Sequence, residues 1–198
     1  MEWLTLLFLV PAIVVPIVLL AGFAGCNLVF EATPDPSLTF EQTFAATLTD
    51  LDALRGRCLV QRIESVRLFN SGTQVQVTLQ ALAESVVIDR ILISQPAASG
   101  DPYDSAGDLT DLATGVTLVQ PNSSLTLPAV AYNLDRTRPL LIAMDVSDNS
   151  GALPFLQGVP ATDAVAFFNL GAEAATKDRS PSYNSRPRIY LVERIDVA

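Results

Sequence analysis

The chain has 198 residues, 49% of them hydrophobic, with 13 prolines and a formal charge of −9. That is length enough for one well-buried core, and a field of this sign repels phosphate backbones, which argues against a nucleic-acid partner. Histidine is absent, so neither a Ser-His-Asp nor a Cys-His mechanism can be assembled from this chain, and the commonest transition-metal ligand is missing.

Residues 3–25 carry no charge, and about 20 apolar residues suffice to cross a bilayer. A cleavable signal peptide has a basic start and a shorter apolar core, whereas the flanking charge here is Glu2. The run therefore predicts a single hydrophobic N-terminal membrane helix, kinked at Pro11 and Pro16 where backbone donors are deleted. Its end, Ala24-Gly25-Cys26, resembles the lipobox of bacterial lipoproteins, with Phe23 where leucine is usual. That resemblance implies acylation of Cys26 after cleavage of a lipoprotein-type signal. Residues 1–26 are thus read as a membrane anchor by one route or the other. Residues 27–37, with Pro34, Asp35 and Pro36, read as a stiff spacer.

From residue 38 the pattern turns to strands. Residues 58–69 are followed by Asn70-Ser71-Gly72 and then by residues 73–81, in which Val75, Val77, Leu79 and Ala81 alternate with glutamines and a threonine. This predicts a half-buried antiparallel strand in a hairpin with the segment before it. Further strands are predicted at 86–93, 124–127, 129–134, 140–146, 164–170 and 188–197, each bounded by turn-forming residues. Within residues 47–57 one helical turn is expected, capped by Asp50. Many short strands without a long amphipathic helix predict an all-β chain: an antiparallel, jelly-roll-like β-sandwich over residues 38–198.

Residues 64–79, 88–94, 100–108, 123–129 and 138–146 together resemble the β-sandwich accessory domain found beside the catalytic domain in some secreted esterases of the GDSL (SGNH) class. The likeness spans residues 62–147. It implies the fold and not the activity, since the esterase half would need a serine nucleophile in a Gly-Asp-Ser context and a later Asp-x-x-His pair, and neither is present.

The loop 100–108, "GDPYDSAGD", concentrates three aspartates between two apolar runs. Asp101, Asp104 and Asp108, with Asp111 beyond them, offer the hard oxygens that Ca²⁺ prefers, though not at EF-hand spacing. The plainer expectation is a turn, with aspartates accepting local backbone hydrogen bonds and Pro102 fixing φ. A third use is a carbohydrate hydroxyl-binding loop around Tyr103. A second candidate patch is Tyr183, Asn184 and Arg186 in the long segment 173–187. Asp89, Arg90 and Asp145 read as outward-facing strand charges that could also line a cleft. Cys58 reads as a small buried side chain, with a disulfide to Cys26 as the alternative.

Two functions fit these residues, neither enzymatic and neither requiring a cofactor. One is a membrane-anchored structural or assembly subunit of a cell-envelope, surface-appendage or virion complex, its β domain periplasmic or extracellular. The other is a surface carbohydrate- or polymer-binding module in which Tyr103 and Tyr183 supply stacking rings.

Overall fold

A computed structural model describes residues 38–198. The anchor, Cys26 and the spacer lie outside these residues. Among the described residues no helix is long and apolar enough to cross a membrane.

The regular structure is all strand apart from one 3-10 turn at Ser65–Arg67. In chain order the strands are β1 (Glu41–Ala45), β2 (Asp50–Asp52), β3 (Arg57–Ile63), β4 (Gly72–Ala81), β5 (Val86–Ser94), β6 (Thr110–Asp111), β7 (Thr117–Val119), β8 (Ser123–Thr126), β9 (Val130–Leu134), β10 (Leu140–Val146), β11 (Leu153–Leu156), β12 (Ala164–Leu170), β13 (Asn184–Arg186), β14 (Ile189–Tyr190) and β15 (Val192–Val197). All pairings are antiparallel. A five-stranded sheet runs β1-β15-β4, with β8 and β9 both pairing β4. A seven-stranded sheet runs β13-β12-β3-β10-β5, with β6 and β7 both pairing β5. Strands β14, β11 and β2 form a third sheet.

Two apolar layers follow from the strand periodicity. Val75, Val77 and Leu79 of β4 and Ile195 of β15 meet Leu59 and Ile63 of β3, Ile142 and Met144 of β10, and Ile91 and Ile93 of β5 in the core between the larger sheets. The opposite faces of β3, β5 and β10, with Cys58, Val60, Leu92, Leu141 and Ala143, join Phe167 of β12, Tyr103 and Ala174 in a second layer outside the seven-stranded sheet. Strand β10 is buried at every position, which is why it reads as a run that is apolar except at Asp145 rather than as an alternating one. In β5 the register jumps from Arg90↔Asp145 to Ile88↔Val146. Asp89 is the extra residue of this bulge, so Ile88 and Ile91 both point inward while Asp89 and Arg90 are both exposed.

Three expectations are corrected. Segments 58–69 and 73–81 do not form a hairpin, because the Ser65–Arg67 turn carries the chain from the seven-stranded sheet to the five-stranded one. Asn70 is held by β1 instead: Thr43 Oγ1 donates to its carbonyl at 2.7 Å and its Nδ2 donates to the Gln42 carbonyl at 2.9 Å. Asp50 begins the strand β2 rather than capping a helical turn, and pairs with Phe155. The stretch 188–197 is two strands in different sheets, separated by Leu191 at φ 57°.

Candidate functional site

The acidic loop is organised by its own backbone. Gly100 has φ +104°, and a Cβ there would lie 2.8 Å from Asp104 Oδ2, so only glycine permits this carboxylate to close over the turn. Asp104 is buried and accepts from the backbone N–H groups of Asp101 (2.9 Å) and Arg179 (2.9 Å). Asp108 turns elsewhere, accepting from Gln95 N–H at 3.1 Å and from the Tyr132 hydroxyl at 2.8 Å. Asp111 pairs with exposed Arg90 at 3.0 Å. The carboxylates of Asp101, Asp104 and Asp108 are therefore not brought together. Among the described residues no group of three acidic, cysteine or histidine side chains is placed to hold a metal ion. Backbone donors take up the lone pairs a cation would need.

Two loops distant in sequence do meet. Tyr103 stacks on Tyr183 with ring centroids 4.4 Å apart and meets Phe167 in a tilted contact at 5.2 Å. Arg179, 4% exposed, ties the two loops together. Its guanidinium donates to the carbonyls of Glu173 (3.2 Å), Ala174 (2.9 Å) and Tyr103, while Glu173 accepts from Ser180 N–H (2.9 Å) and the Tyr183 hydroxyl (3.1 Å). Tyr103 is 5% exposed, which leaves its ring no free face to offer a sugar. Burial first, then the nearby Asp101 and Asp104 carboxylates, raises its hydroxyl pKa. The tyrosine pair is the foundation of the loops rather than a platform.

Beneath the pair lies Cys58, fully buried. Burial, opposed by the Tyr183 hydroxyl, pushes its thiol up to about 11, so at neutral pH it is a neutral apolar group and not a nucleophile. Asp145, expected to face outward, is buried and accepts from Ala174 N–H at 2.9 Å. Burial nonetheless raises its carboxyl pKa. An aspartate within an otherwise apolar strand was a signal of this inward role.

The second predicted patch is divided. Tyr183 belongs to the stack; Asn184 is exposed on β13, opposite Phe168. Arg186 departs to Asp52, whose Oδ2 also receives Arg188 (3.0 Å) and the Tyr190 hydroxyl (2.8 Å). Burial raises the Asp52 pKa, but Tyr190 and the two arginines outweigh it and hold the carboxyl below its ordinary value. The arginines lie over aromatic rings, Arg186 5.0 Å from the Phe168 centroid and Arg188 4.2 Å from that of Phe155.

Sequence reasoning missed Arg179, Asp52 and a groove on the outer face of the five-stranded sheet. The groove, about 510 Å³, is lined by Gln42, Thr47, Thr78, Ser124 and Thr126 with the charged pair Glu193 and Arg194. Its only local signal was the polar half of the β4 alternation. No family model matches the chain, and no curated protein is significantly similar to it.

Proposed function

We propose that this protein is a non-catalytic, membrane-anchored structural or assembly subunit of a cell-envelope, surface-appendage or virion complex, with a jelly-roll-like sandwich held on the periplasmic or extracellular side. The observation that carries this reading is the inward use of polar chemistry: Asp104, Asp108, Asp145, Glu173 and Arg179 are each committed to backbone partners or to a neighbouring loop. These contacts make the loops a fixed shell over the sheet. Large apolar side chains are meanwhile left outside at Leu51, Val66, Phe69, Val116, Leu118 and Leu170, where they are free to make protein or membrane contacts. The apolar run 3–25 and the partial lipobox at Cys26 support the anchor. The resemblance to an esterase accessory domain, without the esterase, supports a non-catalytic module.

The test is the native state of the chain in its own membrane. Gentle extraction followed by native electrophoresis and cross-linking is expected to give an assembly larger than the monomer. A monomer at every detergent concentration would overturn the assignment.

The alternative reading, a carbohydrate- or polymer-binding module, is favoured by the hydroxyl- and amide-lined groove, not by Tyr103. A glycan array probed with the full chain in detergent separates the two. Binding that is lost on Thr126→Trp, which fills the groove, supports the module.

A further inference from the structure

We infer that the end of the sandwich carrying Val66 and Phe69 rests in the lipid interface, so that the domain contacts the bilayer directly as well as through its anchor. This rests on the anchor reading above. Phe69 is 60% exposed and Val66 66% exposed, the only aromatic ring among the large exposed apolar side chains of the described residues and its neighbour across one tight turn. Between them Leu68 is buried and Arg67 pairs with Asp163 at 3.7 Å, so the two apolar side chains stand out from a turn that is itself fixed.

The position of this tip in the fold selects the occupant. Phe69 N–H donates to the Thr43 carbonyl and Asn70 Nδ2 to the Gln42 carbonyl, both within β1, which begins only three residues after the described chain starts at Leu38, itself exposed. The tip therefore lies beside the first of the described strands. The eleven residues 27–37 span at most about 40 Å when fully extended, and the uncharged run 3–25 lies just before them. A tether of that length leaves the bilayer within reach of this apolar tip. Arg136 reinforces this: its Nη1 donates to the Phe69 carbonyl at 3.3 Å, and the side chain is exposed. An exposed cation tied to the backbone of the tip can reach the phosphates while the apolar side chains enter the acyl boundary.

The experiment uses the full chain in vesicles of phosphatidylcholine and phosphatidylglycerol. Trp3 is the single tryptophan, so Trp3→Phe clears the background. Phe69→Trp and Val66→Trp then report on the tip, and Leu170→Trp, at the other end of β12 from Asp163 and 69% exposed, is the control. In vesicles carrying brominated phosphatidylcholine, the tip tryptophans are expected to be blue-shifted and quenched several-fold more than the control, while aqueous acrylamide quenches the control more. Tip emission as solvent-exposed as the control, in protein that floats with the vesicles, overturns the inference and leaves the anchor intact. Emission shielded from both quenchers means that protein covers the tip, which overturns it equally. Failure of the chain to float removes the anchor reading, and the inference with it.

Discussion

The main-chain N–H of Arg179 donates to the carboxylate of Asp104 at 2.9 Å, joining positions 75 residues apart, while the Arg179 side chain returns to the carbonyl of Tyr103. One residue thus locks the middle of the acidic loop, at Tyr103 and Asp104, to the long loop near the C-terminal strands, and the stability of each loop depends on the other.

Arg179→Ala leaves the carbonyls of Glu173, Ala174 and Tyr103 without their shared donor. The expected loss is about 2–4 kcal/mol, a large part of a total near 5–15 kcal/mol. Urea unfolding measures it. Arg179→Lys, with a single point charge in place of the fork, is expected to recover only part of the loss. A full recovery would show that charge, not geometry, holds the loops.

Calcium at millimolar concentration is expected to leave the melting temperature unchanged, since Asp104 and Asp108 accept from different backbone segments. Binding at 100 times the dissociation constant would instead add about 2.7 kcal/mol. A rise with Ca²⁺ but not Mg²⁺, abolished by Asp104→Asn, would refute the prediction.

Val77→Asp is expected to unfold the domain, because Val77 is fully buried between the sheets and an unpaired buried carboxylate costs several kcal/mol. The control must be chosen with care. Gln76 lies directly opposite Asp196, so an aspartate there adds like-charge repulsion of up to about 1 kcal/mol. Gln74→Asp, opposite Ala131, is the substitution expected to be tolerated.

Cys58 gives a pH signature. Its thiol moves from an ordinary value of 9.0 to about 11 in the folded chain. The native state therefore holds the proton after the unfolded chain has lost it, so this contribution is fully present below pH 9 and is lost as pH rises through about 11, amounting to roughly 2–3 kcal/mol. Unfolding curves for the native sequence and Cys58→Ala should converge across that window. Curves that stay parallel would contradict the assignment.

A chain lacking residues 1–37 is expected to fold as a soluble β protein, because the core formed among the described residues, from Phe44 to Val197, closes between the two larger sheets. Loss of the β circular-dichroism signal would show that the N-terminal segment contributes to the fold.

The long strands were readable because each carries a whole period of the pattern: β4 alternates over ten residues, and β10 is apolar at every position but Asp145 because both its faces are covered. What could not be read has physical reasons. β2, β6, β7 and β13 have two or three residues, too few to establish a period. Asn70-Ser71-Gly72 carries the chemistry of a hairpin turn, and the Ser65–Arg67 turn before it, with the capture of Asn70 by β1, diverts it. Leu191 at positive φ has no local signature, since leucine does not favour that conformation. At the site, Tyr103 and Tyr183 were each singled out, yet their stacking is a product of the fold, as is the removal of Arg186 to Asp52.

The position of β15 has a consequence for biosynthesis. This strand lies between β1 and β4, and it is the last of all the described strands to be made. While about 150 intervening residues are added at about 5–20 per second, β1 has no sheet partner for roughly 8–30 s. During that time β4 also presents one open edge. The nascent chain would spend this interval with two sticky edges open to its neighbours. Its yield in the cell would then depend as much on a holding chaperone as on the stability of the finished sandwich.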